Sequence, residues 1–341
     1  MKIKLFLLNF FLLIVMSCAD EIYQKEDSSS ENQKTEHYSA SNQRFKPNDL
    51  NSLNSWMASI KDETKLARIS IPGTHDSGTF ELRDPVKQVW GMTQELNFQE
   101  QMNNGIRFFD IRVRATSNTN LFLHHGIIYL YVSLWKFISD AQSFLNENSS
   151  ETIIMSIKQD HDAIPGVTKD VTSIFKDTYY PESIFYKGIT ENPTLGETRG
   201  KIVVLSRISN SYEIAGFNAN GWQDNKTFSR KINSNLTMNV QDQYKVNYYP
   251  KKDAIRNFLV ETNNNLNDNS LFINFTSLSS GGTAFNSPYY YASYFNPETA
   301  QFIENNIKNR AGWVIMDYIG NRWSPLLQQK VIETNKNLIK N

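Results

Sequence analysis

Short apolar runs of strand length alternate with amphipathic helical patterns along this chain from residue 50 onward. Eight runs are candidate strands, at residues 66–71, 106–113, 121–125, 152–158, 201–207, 238–242, 271–276 and 312–317. Strands that alternate with helices are typical of parallel β/α units, and eight such strands close a barrel. The pattern therefore predicts an α/β fold of the (β/α)8 type, a TIM barrel, in a single domain.

The best helical pattern lies between the third and fourth candidate strands. Apolar residues recur there at helical spacing, and Ser133 precedes them as a suitable N-cap: Leu134, Phe137, Ile138, Ala141, Phe144 and Leu145. Residues 254–266 and 299–307 show similar spacing, whereas residues 216–230 and 279–297 have none and are predicted to be long loops. The barrel prediction thus depends on strand count and alternation.

Strand parity identifies which polar residues share a face with apolar neighbours. On the second candidate strand, Ile106, Phe108, Asp110 and Arg112 lie on one face, because side chains alternate across a strand. Six strands end in an ionisable residue of this kind: His75, Arg112, His125, Lys158, Arg207 and Asp317. Any one of them could merely mark where a strand meets solvent. Six together, with two of the five histidines, predict a catalytic site at one rim of the barrel.

Two histidines with an arginine and a lysine suit phosphodiester cleavage by an internal hydroxyl. One imidazole can remove the proton of the attacking hydroxyl, the other can protonate the leaving oxygen, and a guanidinium can stabilise charge on phosphate. Asp76 and Asp317 are available to orient the two rings. His124 has the opposite parity to His125, so we expect it to be structural.

A metal-dependent reaction would instead require a cluster of carboxylates around one cation. The sequence Asp160-His161-Asp162 has suitable residue types, but it follows Lys158 in a polar stretch and is predicted to be a solvated loop. Arg112 supplies a positive charge where a metal would otherwise be useful. We therefore expect metal-free chemistry and no cofactor.

The N-terminal segment predicts export. Residues 1–18 have a charged start and an apolar core too short to span a membrane comfortably, as in a signal peptide, and end at Cys18, the only cysteine. This end is typical of a bacterial lipoprotein, with an ordinary signal peptide as the alternative. Residues 19–48 are polar and predict a disordered tether, leaving residues 49–341 as the catalytic barrel. One cysteine allows no intrachain disulfide.

Charge argues against a nucleic-acid partner, because 35 basic residues balance 35 acidic ones. We expect a monomer.

Three motifs together resemble bacterial phosphatidylinositol-specific phospholipase C. They are Ile-Pro-Gly-Thr-His-Asp-Ser-Gly at 71–78, Gly-Ile-Arg-Phe-Phe-Asp-Ile-Arg at 105–112 and Leu-His-His-Gly at 123–126. The resemblance extends from about residue 48 to residue 327. It implies an irregular, incompletely closed β/α barrel that acts at phosphatidylinositol-containing membrane or micelle surfaces.

The resemblance also implies roles for individual residues. His75 would be the general base on the inositol 2-hydroxyl, assisted by Asp317, and His125 with Asp76 the general acid toward diacylglycerol. Arg112 would bind phosphate, with Asp110 orienting it. Four further positions would contact inositol: Lys158, Arg207, Asp242 and Tyr244. The implied products are diacylglycerol and inositol 1,2-cyclic phosphate, and the branch with arginine at this position needs no calcium.

Several alternatives remain at this level. The chain could be a metal-dependent glycerophosphodiesterase-like or sphingomyelinase-D-like barrel, or a surface lipoprotein that binds inositol lipids without cleaving them. Free phosphatidylinositol and glycosylphosphatidylinositol-anchored proteins are both possible targets. A set of aromatic residues could enter a bilayer surface or pack against the barrel: Trp90, Phe285, Tyr289, Tyr290, Tyr291 and Tyr294.

Overall fold

The computed structural model describes residues 50, 52–279, 286–320 and 326–340. The predicted signal peptide, Cys18, the tether and Phe285 lie outside these residues. The strands are β1 (Ile71–Thr74), β2 (Phe108–Ala115), β3 (Leu121–His125), β4 (Ile128–Ser133), β5 (Ile153–Gln159), β6 (Ile202–Ser206), β7 (Gly216–Asn218), β8 (Thr227–Lys231), β9 (Thr237–Gln241), β10 (Ser270–Phe275) and β11 (Trp313–Met316).

The α-helices of the described residues are α1 (Pro85–Gly91), α2 (Phe98–Asn103), α3 (Leu134–Glu147), α4 (Val171–Ile174), α5 (Leu195–Thr198), α6 (Tyr248–Asn264), α7 (Pro288–Asn306) and α8 (Leu327–Glu333). Short 3-10 helices occur at Trp56–Ser59, Leu66–Arg68, Thr79–Glu81 and Lys336–Leu338, and a π-helical turn, Phe175–Tyr179, continues α4. Across the described part of the chain, no helix has the length and apolarity needed to cross a bilayer.

One curled sheet contains all eleven strands of the described residues. Its parallel part has the order β7-β6-β5-β2-β1-β11-β10-β9, and β8 adds antiparallel to β9 at one end. The hairpin β3–β4 branches from β2 in antiparallel pairing. Among the described residues, no ladder joins β7 to β8 or β9. The fold is therefore an irregular barrel that is incompletely closed, as the family resemblance implied.

The eight parallel strands are not the eight runs that the pattern identified. Residues 66–71 begin with the 3-10 helix Leu66–Arg68, and the strand starts only at Ile71. β3 matches its predicted bounds but is antiparallel, so it is not a barrel strand. β7 lies in a predicted loop, because three residues are too few to show a period. The predicted number of barrel strands was right only because two errors cancelled.

Side-chain alternation separates two apolar clusters, one inside the barrel and one beneath the helices. Phe108 and Ile315 pack inside, whereas their neighbours Phe109 and Val314 pack in the outer cluster. The β1 backbone passes so close to the interior that a Cβ at Gly73 would lie 2.6 Å from Ile315 and 2.8 Å from Phe108. Glycine is therefore required directly before the strand end that leads to His75.

Helix α3 confirms the periodic pattern and its cap, since Ser133 accepts a hydrogen bond from the backbone N–H of Lys136. Helix α7 starts at Pro288, inside the segment predicted as a loop, and continues through Pro297. A proline in a helix interior removes one backbone hydrogen bond and ordinarily ends the helix. The loop prediction for residues 279–297 was therefore wrong over its second half.

Candidate active site

The carboxyl ends of the parallel strands and the β3–β4 turn surround one cavity of about 270 Å³. Eight of the residues selected from the sequence line it: His75, Arg112, His125, Lys158, Arg207, Asp242, Tyr244 and Asp317. The other two, Asp76 and Asp110, are buried beside it and pair with Arg112. The structure thus brings all ten residues together, and their roles in chemistry stay predictions.

His75 follows β1 directly and is held from several sides. Its backbone N–H donates to the Met316 carbonyl at 3.0 Å, and Thr93 Oγ1 donates to the His75 carbonyl at 2.9 Å. Its Nδ1 lies 2.8 Å from Asp317 Oδ1. Burial lowers the pKa of His75, as does Arg112, but the Asp317 carboxylate together with Asp110 outweighs them, so the pKa is raised. The geometry leaves Nε2 as the nitrogen that can take a proton from a substrate.

His125 stands opposite, at the end of β3. Its Nδ1 lies 2.8 Å from the Gly91 carbonyl oxygen. Because a carbonyl can only accept, Nδ1 carries a proton. The same Nδ1 lies 3.6 Å from Asp76 Oδ2. Asp76 is buried and has a φ of 42°, a left-handed conformation that is uncommon for aspartate. Burial raises its pKa, against the opposing effect of His125 and Arg112. This arrangement places a buried carboxylate next to the second imidazole.

Arg112 is oriented by two buried carboxylates. Its Nε donates to Asp110 Oδ2 at 3.0 Å, and its Nη1 lies 3.6 Å from Asp76 Oδ2. Asp110 also lies 3.4 Å from Arg207. Burial would raise the pKa of Asp110, but Arg112 and Arg207 hold it well below its ordinary value. Burial lowers the pKa of Arg112, but the Asp110 and Asp76 carboxylates raise it by more than burial lowers it. The guanidinium is therefore a permanent cation, and it faces the cavity.

The far end of the cavity holds a second polar group. Arg207 stacks on Trp222 at 4.1 Å, and the indole N–H of Trp222 donates to Asp242 Oδ2 at 2.8 Å. Asp224 lies within 3.4 Å of both Lys158 and Arg207. Sequence reasoning missed Trp222 and Asp224, because both fall in the segment predicted as a featureless loop. Alternating charges and ring faces of this kind suit a polyhydroxylated ring.

The prediction that Asp160 is a solvated loop residue was wrong. Its side chain is only 10% exposed, lines the cavity, and accepts a hydrogen bond from the backbone N–H of Gly126 at 2.5 Å. Its own backbone N–H donates to the Val113 carbonyl, which extends the β2–β5 pairing past the predicted strand end. Burial would raise the pKa of Asp160, but Arg112 and the Gly126 N–H lower it overall. Asp162 is exposed, as predicted.

Within the described residues, no group of three or more histidine, cysteine, aspartate or glutamate side chains could hold a metal ion. His124 lies off the cavity, buried against the rings of Tyr129 and His161, and burial lowers its pKa to about 4. It occupies a structural position, as its parity predicted.

Some of the aromatic residues proposed to enter a bilayer surface are exposed, and others pack against the barrel. Trp90 of α1 is 49% exposed and lines the cavity mouth, and Tyr289 and Tyr294 of α7 are also exposed. Tyr291 is buried and packs against Phe295. The exposed rings are therefore available to a surface near the cavity, whereas Tyr291 is part of the core.

Comparisons with known proteins identify a family and several relatives that this chain resembles. Residues 69–208 match the family model described as phosphatidylinositol-specific phospholipase C, X domain. A 1-phosphatidylinositol phosphodiesterase of Staphylococcus aureus (strain Newman) is 44% identical over 292 residues, covering 82% of this chain and 94% of the relative. The enzyme of that name from Listeria monocytogenes is 30% identical over 302 residues, covering 84% of each chain.

Solved structures show the same similarity. A structure of S. aureus phosphatidylinositol-specific phospholipase C covers 83% of this chain and 97% of its own, at 43% identity and a TM-score of 0.81. The L. monocytogenes structure covers 85% and 100%, at 27% identity and a TM-score of 0.60. The similarity therefore extends over most of the chain.

Proposed function

This chain belongs to the bacterial phosphatidylinositol-specific phospholipases C, and on that premise we propose that it cleaves phosphatidylinositol by histidine acid–base catalysis without a metal. One observation carries the mechanism. The His75 and His125 rings lie edge to face with centroids 6.4 Å apart and planes at 83°, and each has a buried aspartate beside its Nδ1. A phosphate bound by Arg112 would lie within reach of both rings.

The first step is an internal transfer. His75 Nε2 removes the proton of the inositol 2-hydroxyl, and the resulting oxygen forms a bond to phosphorus as the bond from phosphorus to the diacylglycerol oxygen breaks. His125, protonated at the start, gives its proton to that leaving oxygen. The products are diacylglycerol and inositol 1,2-cyclic phosphate. Asp317 stabilises the imidazolium formed at His75, and Arg112 stabilises charge on the phosphate oxygens.

Slower hydrolysis of the cyclic ester to inositol 1-phosphate uses the same groups in reverse. His125, now neutral, removes a proton from water, and the water oxygen forms a bond to phosphorus as the bond from phosphorus to the 2-oxygen breaks. The protonated His75 gives its proton to that 2-oxygen. Each histidine regains its starting protonation state, so the cycle closes without a cofactor.

The far end of the cavity supports an inositol headgroup as the substrate. Arg207 and Lys158 can donate to ring hydroxyls, Asp242 can accept from them, and Tyr244 can pack against the ring face. The exposed Trp90, which lines the mouth of the cavity, supports catalysis at a lipid surface. We propose free phosphatidylinositol as the main substrate, and cleavage of glycosylphosphatidylinositol anchors follows if the cavity also admits a substituted ring.

From the sequence of residues 1–18 alone, we propose that the protein is exported and lipidated. Cleavage before Cys18 would leave it as the lipid-carrying N-terminus, with residues 19–48 as a tether and the catalytic domain acting as a monomer. Metabolic labelling with palmitate in a bacterial host tests this, with Cys18→Ser as control. Incorporation that Cys18→Ser abolishes is the expected result, and export without incorporation would indicate an ordinary signal peptide.

Phosphorus NMR of the purified protein tests the chemistry, with phosphatidylinositol micelles in excess EDTA. We expect the resonance of a cyclic inositol phosphate, followed by slow conversion to a monoester. No product in EDTA with activity restored by a divalent cation would support a metal-dependent barrel. No product either in EDTA or with an added divalent cation would support a protein that binds the lipid without cleaving it. A parallel assay with a glycosylphosphatidylinositol-anchored protein decides between the two targets.

A further inference from the structure

Gln94 is a buried side chain beside the His75–Asp317 pair that the proposed mechanism does not use. It is inaccessible to solvent, and its Nε2 donates to the His75 carbonyl at 3.2 Å and to the Met316 carbonyl at 2.9 Å. Its Oε1 accepts from the backbone N–H of Ile319 at 3.4 Å. Carbonyls only accept and an N–H only donates, so these partners fix the orientation of the amide. One side chain therefore contacts both segments that carry the pair.

The contacts of Gln94 begin where the sheet pairing ends. β1 and β11 pair as far as Thr74 opposite Met316, and the His75 backbone N–H then donates to the Met316 carbonyl at 3.0 Å. The His75 carbonyl accepts from two side chains, Gln94 and Thr93. Buried backbone groups need hydrogen-bond partners. Gln94 thus continues the connection between the two strand ends at the level of the base and its carboxylate.

The turn that follows β11 has an unusual backbone conformation. Tyr318 has a φ of 47°, in the left-handed region that a bulky side chain rarely adopts. Such a conformation persists only where neighbouring groups hold it. The hydrogen bonds of Gln94 to Met316 and to Ile319 lie on either side of this turn. They therefore hold the backbone from which the Asp317 carboxylate reaches the base.

We propose that Gln94 is a positioning residue of this phospholipase, whose amide fixes the His75 imidazole and the Asp317 carboxylate relative to each other. The inference rests on the proposed function, since it assumes His75 as the base. Without the amide, the His75 and Met316 carbonyls each lose a donor, and the two segments can move apart. A base must lie within hydrogen-bond reach of its proton, so a small displacement of the ring costs much of the rate.

A matched pair of substitutions separates positioning from stability. Gln94→Met keeps the length of the side chain and removes the amide. Asn335→Leu is the control, because the buried Asn335 amide holds the opposite end of β1: it bonds to the Ser70 N–H and carbonyl, both at 2.8 Å, and to the Ile332 carbonyl at 3.1 Å. Each substitution removes three hydrogen bonds of a buried amide. Gln94→Asn is a milder variant, whose amide is one methylene too short to reach both carbonyls.

Three quantities are measured on the full chain. They are kcat and KM for phosphatidylinositol in micelles, the pKa of His75 by NMR titration, and the temperature of thermal unfolding. In Gln94→Met we expect kcat to fall by about 10–100-fold with little change in KM. The pKa of His75 should fall, because the Asp317 carboxylate raises it and would lie farther away. Asn335→Leu should unfold at a lower temperature and keep the wild-type kcat and His75 pKa.

Several results would overturn the proposal. A folded Gln94→Met variant with wild-type kcat or with an unmoved His75 pKa would do so, as would the same pKa change in Asn335→Leu. If Gln94→Met does not fold, the same two readouts in Gln94→Asn decide. An inactive wild type would instead contradict the proposed function, and the pKa of His75 would still test whether Gln94 positions the pair.

Discussion

His75 and Asp317, 242 residues apart in the chain, are joined by a 2.8 Å contact between Nδ1 and Oδ1 that the sheet register brings about. β1 pairs with β11 in parallel, with Thr74 opposite Met316, so the next residue of each strand is His75 on one side and Asp317 on the other. Sheet pairing therefore places the base and its carboxylate side by side.

Replacing Asp317 should lower the pKa of His75. Burial and Arg112 both lower that pKa, and the Asp317 carboxylate is the main influence that raises it. In Asp317→Asn the ring keeps an acceptor and loses the charge, so we expect a pKa below the ordinary 6.5. NMR titration of the histidine rings measures this pKa. The control is Asp62→Asn, because the native Asp62 carboxylate pairs with Arg199 and not with a histidine. An unchanged pKa would contradict the assignment.

His75→Ala and His125→Ala should each reduce kcat/KM by about 10²–10⁴-fold, the usual contribution of a positioned general acid or base. His161→Ala is the control, because His161 lies outside the cavity against His124. Thermal unfolding should show all three variants folded. Near-normal turnover in either His75→Ala or His125→Ala would make the acid–base assignment wrong.

Asp160→Asn should reduce kcat with little change in folding. Asp160 holds the turn after His125 through the Gly126 N–H, and its charge acts on Arg112 and His125. The amide can still accept the hydrogen bond but supplies no charge, so we expect a loss of about tenfold. Asp162→Asn, two residues away and exposed, should behave as wild type. Equal activities of the two variants would show that Asp160 has no part in the site.

Arg112→Asp should abolish cleavage in EDTA, whereas the wild type should be insensitive to EDTA. The new carboxylate would stand beside Asp76 and Asp110, and three carboxylates offer oxygen ligands of the kind that calcium prefers. Partial recovery with added calcium is therefore expected, measured as product formation against calcium concentration. Arg112→Ala, which provides no ligand, should not recover; recovery in both variants would contradict the explanation.

Lys251 should make the stability of the protein depend on pH. Burial lowers its pKa from the ordinary 10.5 to about 7, so between these values the unfolded chain binds a proton that the folded protein does not. The unfolding free energy of the wild type, relative to Lys251→Met, should therefore rise with pH, by up to about 1.4 kcal/mol per unit. Denaturant unfolding at pH 7 and pH 9 measures the difference. A constant difference would show that Lys251 titrates normally in the fold.

Most of the site could be predicted from the sequence, because strand alternation is a local property. Parity placed Asp110, Arg112, Lys158, Arg207 and Asp317 on the inner faces of their strands, where the structure has them. The residue types at those strand ends indicated phosphodiester chemistry before any fold was known. Helix α3 and its Ser133 cap were equally local and equally predictable.

The tertiary structure decided what depends on contacts between distant segments. β3 has the residues of a barrel strand, and only its pairing with β2 and β4 makes it a hairpin that presents His125. Asp160 and Asp224 lie in polar segments without a period, and the fold brings both to the cavity lining. Lys251 and Lys252 are adjacent in sequence, and only the packing of α6 on the barrel determines that Lys251 is the buried one. Alternation along a strand is set by backbone geometry, whereas burial and pairing are set by the whole fold.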